Sequence, residues 1–238
     1  MSQTSSHTLK SFDNDLRQLR AQIGAMGGLA EAQISAAIDA LVRRDSDSAM
    51  QVVADDKRID MLEAESERLA ITTIATRAPM ADDLREIIAA LKIGHMLERV
   101  GDYATNIAKR TTVLALSQPI QPSVIIPEMG RAVAAMIKDA LDAYADRDAE
   151  LAAEVTERDQ VVDDLYAALF RSLLTYMMEN PHHITPSAHL LFIAKNLERI
   201  GDHATNIAEV VYYSVTGHHI GDRVKADNTP YAQVEEQA

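Results

Sequence analysis

Two carboxylate pairs carry the clearest chemical signal in the chain. Glu98 and Asp102 stand four residues apart, and Glu198 and Asp202 repeat that spacing. On a helix, residues four apart share a face with Cβ atoms roughly 5–6 Å apart, so each pair sets two like charges side by side at a mild cost. Each pair lies inside a phrase that is written twice. Residues 97–108 read Leu-Glu-Arg-Val-Gly-Asp-Tyr-Ala-Thr-Asn-Ile-Ala, and residues 197–208 read Leu-Glu-Arg-Ile-Gly-Asp-His-Ala-Thr-Asn-Ile-Ala. Self-similarity at a fixed offset marks an internal repeat. A second acidic pair precedes each phrase: Asp56 with Asp60, and Asp159 with Asp163. In antiparallel hairpins turning at Pro79 and Pro181, residues equally far from the turn face each other. That register gathers Asp56, Asp60, Glu98 and Asp102 in one half, and Asp159, Asp163, Glu198 and Asp202 in the other. Four unpaired carboxylates repel, and bound cations are the usual remedy. Oxygen-only ligands suit hard ions such as magnesium, manganese, calcium or iron. The alternative is a solvated acidic face. Arg58, Arg99, Arg158 and Arg199 sit beside these acids, and surface salt bridges with them would absorb the charge.

These residues need elements to hold them, and the periodicity is helical throughout. Leu9, Phe12, Leu16, Leu19, Ile23, Met26, Ala30, Ile34, Ala37 and Leu41 recur at three- and four-residue steps and predict a first helix over about 8–44. Asp45-Ser46-Asp47 reads as a break and N-cap, and a second helix runs to about residue 76. Ala78-Pro79 ends it, because proline biases its predecessor away from helix. A third helix spans roughly 80–116. The second half repeats the plan, with helices expected over about 127–145, from there to 180, and 186–216. No strand pattern occurs. The expected fold is all-α, two tandem three-helix bundles related by internal duplication: residues 1–117, a proline-dense linker at 118–123, residues 124–217, and a disordered tail at 218–238. On a helical wheel Ile93, Leu97, Val100, Ala104 and Ile107 form an apolar stripe, with Glu98 and Asp102 nearly opposite, so the acids are expected to face out of the bundle. Gly101 and Gly201 sit mid-helix at about 1 kcal/mol each relative to alanine. Their recurrence predicts close approach of another helix or a ligand.

Composition narrows the function classes. The chain has 238 residues, 47% of them apolar, and a formal net charge of -13. That charge argues against a direct nucleic-acid role, which calls for basic surface. Without cysteine, thiolate metal sites, disulfides and thiol catalysis are excluded. No apolar leader opens the sequence and no run is long enough to span a bilayer, so a cytoplasmic protein is expected. His95 stands three before Glu98, but Lys195 takes that place in the second half, which favours an ordinary histidine. Di-iron bundles use Glu-x-x-His, which the acidic pairs lack. His182-His183 and His218-His219 fall in loops, and no glycine-rich phosphate loop is present.

The doubled Leu-Glu-Arg-Val/Ile-Gly-Asp-x-Ala-Thr-Asn-Ile-Ala, with Asp56-Lys-Arg-Ile-Asp60 and Asp159-Gln-Val-Val-Asp163 upstream, resembles the PhoU family over about residues 8–216. These are accessory proteins of the phosphate-specific ABC transport system. The resemblance implies two three-helix bundles with metal ions, in some members multinuclear iron clusters, on the acidic motifs. It implies a non-enzymatic negative regulator of the phosphate-starvation regulon that modulates phosphate uptake. Such a protein works between the phosphate transporter ATPase and the membrane sensor histidine kinase. A homodimer recruited to the membrane through partners is expected. Tyr103 and His203 differ between the phrases, so the two faces need not be equivalent. Two rivals stand beside this: a metal-storing or metal-dependent enzyme of bundle type, and an adaptor without metal.

Overall fold

A computed structural model of the chain describes residues 2–220. In order, α1 is Ser2–Arg43, α2 Ser46–Asp55, α3 Lys57–Arg77, α4 Asp82–Leu114, α5 Ile126–Asp146, α6 Ala149–Glu157, α7 Asp159–Glu179 and α8 Ile184–Thr216. Among the described residues no strand occurs. The architecture is all-α, two tandem bundles of three antiparallel arms: α1, α2–α3 and α4, then α5, α6–α7 and α8. The expected tail lies outside the described residues from 221 onward.

The junctions follow from local chemistry. Asp45 accepts hydrogen bonds from the Asp47 and Ser48 N–H groups, and Asp148 from those of Glu150 and Leu151, so an aspartate caps α2 and α6 alike. The preceding arginines, Arg44 and Arg147, both take a left-handed conformation at φ 56° and close α1 and α5. Gly217 closes α8 at φ 74°.

The middle arms depart from expectation. Each was expected as one continuous helix, and each is broken where its acidic pair begins, at Asp56 in the first half and at Arg158, just before Asp159, in the second. The Ile59 N–H reaches the Asp56 carbonyl at 3.0 Å, and the Val161 N–H reaches the Arg158 carbonyl at 3.1 Å. Three-residue hydrogen bonding replaces four-residue bonding for one turn, a local tightening. Asp56 and Arg158 stay right-handed, at φ -52° and -79°. The apolar period therefore runs on through the break.

The apolar stripes of α4 and α8 are buried as predicted, with Ile93, Leu97, Val100, Ala104, Ile107 and their counterparts fully inaccessible. They meet in a single hydrophobic core that crosses both halves: α1 packs on α4, α5 on α8, and α4 on α8. A pseudo-two-fold axis relates the halves. A Cβ on Gly27 would overlap Leu141 Cδ1, and one on Gly130 would stand 2.8 Å from Ile38 Cγ1. The 103-residue offset that carries Asp56 to Asp159 also carries Gly27 to Gly130 and Ile38 to Leu141. The two close contacts are thus images of each other. On the same axis the Tyr103 and His203 rings stack at 5.6 Å between antiparallel α4 and α8.

A buried ion cluster also ties the halves. Glu86 on α4 accepts from Arg20 Nε and Nη2 at 2.6 and 2.8 Å, and from Arg147 Nη1 at 2.7 Å. At the other end, Arg44 Nη2 donates to the Leu114 and Ala115 carbonyls at 2.6 and 3.3 Å, and to that of Ser117. The α1–α2 turn thereby caps the last turn of α4.

Candidate functional site

The first acidic face is built on the break before α3 and the middle of α4. The tightened turn aims Asp56 at Gly101, where a Cβ would lie 3.2 Å from Asp56 Oδ1 and 3.0 Å from Ile59 Cδ1. Glycine admits the close approach, as the sequence suggests. Glu98 is only 18% exposed and Asp102 41%. Glu98 therefore sits in the flank of the bundle rather than fully outside it. Arg99 bridges the pair, with Nη1 3.0 Å from Asp102 Oδ2 and Nε 3.4 Å from Glu98 Oε2. No hydrogen bond reaches Glu98 Oε2, although the atom is buried. Burial first, and Asp102 second, push the Glu98 carboxyl above the usual carboxylate range. Asp56 is raised likewise, by burial and then by Asp60 and Asp102. Asp56, Asp60, Asp102 and Glu98 thus share one electrostatic neighbourhood.

That neighbourhood contains one residue that sequence reasoning did not weigh, Glu63, and one that it weighed and set aside, His95. His95 Nδ1 lies 3.1 Å from Glu63 Oε1. Glu63, His95 and Glu98 each offer a ligand atom within 4.8 Å of the others, and among the described residues theirs is the single trio so gathered. Glu63 could have been found, since it lies three residues after Asp60, one turn along the same arm. His95 was set aside because its counterpart is lysine, and that substitution is the informative feature.

The second face has the same backbone and different chemistry. Asp159 is buried, and its Oδ1 would lie 3.3 Å from a Cβ on Gly201. Tyr166 takes the place of Glu63, and Lys195 the place of His95. Lys195 Nζ lies 2.7 Å from Glu198 Oε2 and 5.6 Å from the centre of the Tyr166 ring. The second face carries a resident cation. Arg158 turns away from its neighbouring acid to pair with Asp139 and, at 3.9 Å, Glu154. The two faces adjoin across the α4–α8 seam: Arg199 lies 5.8 Å from the Tyr103 ring centre. His203 is held below the usual imidazole range by burial, against the pull of Asp202 and with help from His95 and Arg99.

The first face fits a hard cation. It offers carboxylate oxygens, one of them buried without a hydrogen bond, and a glycine notch against Asp56. A borderline ion could add His95. On the second face a cation would have to displace Lys195 from Glu198.

The PhoU domain profile matches residues 23–111 and 126–211, one copy in each half. The chain is 52% identical over 219 residues to a phosphate-specific transport system accessory protein PhoU homolog of Zymomonas mobilis, covering 92% of each chain. Its backbone is similar to the crystal structure of PhoU from Pseudomonas aeruginosa, with a TM-score of 0.84, 40% identity, and coverage of 87% of this chain and 100% of that one. It is also similar to the phosphate transport system regulatory protein PhoU from Streptococcus pneumoniae, at a TM-score of 0.81 and 27% identity, covering 88% and 99%.

Proposed function

Because the chain belongs to the PhoU family, we propose that it is a regulatory accessory protein of phosphate transport. In the finer reading it is a non-enzymatic adaptor between the phosphate transporter ATPase and a membrane sensor histidine kinase. It holds the phosphate-starvation regulon off when phosphate is plentiful. The observation that carries the reading is the paired match of both halves to the PhoU domain, with the acid motifs of both copies intact. No helix among the described residues is long and apolar enough to cross a membrane, so recruitment to the transporter runs through protein contacts. The proposed place of action is the cytoplasmic side, as a homodimer.

The acid faces would hold hard metal ions, iron, magnesium or manganese, through Asp56, Asp60, Glu98 and Asp102 and through Asp159, Asp163, Glu198 and Asp202. A bound cation offsets the repulsion that raises Asp56 and Glu98, and it would fix the α3–α4 surface that a partner reads. The Glu63–His95–Glu98 trio favours one secondary reading, metal storage on the first face.

Deletion is the test of the regulatory role. Loss of this protein should leave phosphate-starvation genes on in phosphate-rich medium, and the wild-type chain should restore repression. A folded Glu98→Lys/Glu198→Lys chain should fail to restore it. Normal repression in the deletion strain would sink the regulatory reading. Full restoration by the doubly reversed chain would remove only the acid faces from it.

A further inference from the structure

A cavity at the far end of the α4–α8 seam is the pseudo-symmetric image of the Glu86 ion cluster. The offset that carries Gly27 onto Gly130 also carries Arg20 onto Ser123, Leu41 onto Tyr144 and Arg44 onto Arg147. The offset that carries Tyr103 onto His203 carries Glu86 onto Pro186. At one end, two guanidiniums close on the Glu86 carboxylate, with Tyr144 within electrostatic reach. At the other end, the same four stations hold Ser123, Pro186, Arg44 and Leu41, and all four line a cavity of about 310 Å³. The carboxylate and one guanidinium are gone, and the space they would occupy stays open. Val42 and Val124, 58% and 74% exposed, stand at its mouth.

One charge remains there. Arg44 uses Nη2 for the carbonyls ending α4. Among the described residues its Nε and Nη1 have no hydrogen-bond partner, and no carboxylate pairs with it. The rest of the wall is mainly aliphatic, and the volume suits a small molecule.

We infer that this cavity binds a small monocarboxylate with an aliphatic body, whose carboxylate gives Arg44 the counter-charge that Glu86 gives Arg147. A guanidinium makes its strongest hydrogen bonds to such an anion, and the aliphatic wall takes the body out of water. A phosphate dianion would lose more hydration than a single guanidinium in an apolar cleft returns.

Titration calorimetry of the full chain with octanoate as probe tests the inference. One saturable site per chain is expected, and octanol, with the same body and no charge, should bind roughly tenfold or more weakly. Val124→Trp closes the mouth from an exposed position. Ser123→Arg/Pro186→Glu rebuilds the ion cluster in the cavity. Each should weaken octanoate by roughly tenfold or more while circular dichroism stays unchanged. Arg44→Met should bring octanoate down to the level of octanol. Absence of saturable octanoate binding overturns the inference. So does binding untouched by Val124→Trp, parity between octanol and octanoate, or inorganic phosphate binding in octanoate's place.

Discussion

Glu98 and Asp56 are carboxyls whose native environment favours the protonated form, by burial first and by neighbouring acids second. A raised native pKa means that the folded chain binds the proton more tightly than the unfolded chain. Stability is therefore lost as pH rises from the unfolded carboxylate range, about 4, through the native one, and it stays lost at neutral pH unless something takes up the charge. In chelator at pH 7, Glu98→Gln should be more stable than the parent by roughly 0.5 kcal/mol, the scale of a like-charge helical pair. Near pH 4 the gap should close, and with manganese or magnesium in excess the order should reverse, because the parent alone gains by binding. Urea denaturation under the three conditions decides this. A parent that is the more stable in chelator at pH 7 would contradict the electrostatic account. The second face makes the complementary prediction. Removing its resident ammonium with Lys195→Ala should raise metal content per chain, whereas Asp102→Ala/Asp202→Ala should lower it. Elemental analysis of protein purified without an affinity tag reads both.

The helical arms explain why some glycines matter and others do not. Gly24 is exposed on α1, and a Cβ there would have nothing within 4 Å. Gly24→Ala should then stabilise by about 0.5–1 kcal/mol through helix propensity alone. A Cβ on Gly101 would lie 3.0 Å from Gln33 Oε1 and Ile59 Cδ1 and 3.2 Å from Asp56 Oδ1. Gly101→Leu should cost at least about 2 kcal/mol, because three packed neighbours from two elements must move together. Thermal unfolding of the two variants should shift in opposite directions. The same elements show what was legible in the sequence. The arms, the cap at Asp45 and the buried stripe of α4 follow from residue type and period, and so does the closeness implied by Gly101. The breaks at Asp56 and Arg158 do not, because a switch from four- to three-residue bonding leaves the apolar period intact. Glu63 escaped because only the repeated acids were weighed, and its counterpart is Tyr166. His95 escaped for the same reason: symmetry between the halves was the guide, and the first face departs from it. The partial burial of Glu98 needed the third dimension, since a wheel drawn for one helix does not show how far the neighbouring arm covers its flank.

At the scale of the molecule, the continuous core and the Glu86 cluster join the halves. Glu86 is buried, whereas Arg20 and Arg147 are 37% and 40% exposed. Glu86→Ala should cost about 2 kcal/mol, less than a fully buried ion pair, because the freed guanidiniums can turn toward water. The parent should unfold in a single transition by urea, seen identically by circular dichroism and tyrosine fluorescence, since one core serves both halves. Two resolved transitions in the parent would show that the halves are energetically separate despite that core. The pseudo-two-fold axis through Tyr103 and His203 has a further meaning. Two separate copies of one half would present identical faces, and any change on one would be forced on the other. Joined in one polypeptide, the copies are free to drift apart. A histidine between two glutamates on one side and a lysine already seated on a glutamate on the other give a molecule with a left and a right, two different faces drawn from one inherited shape.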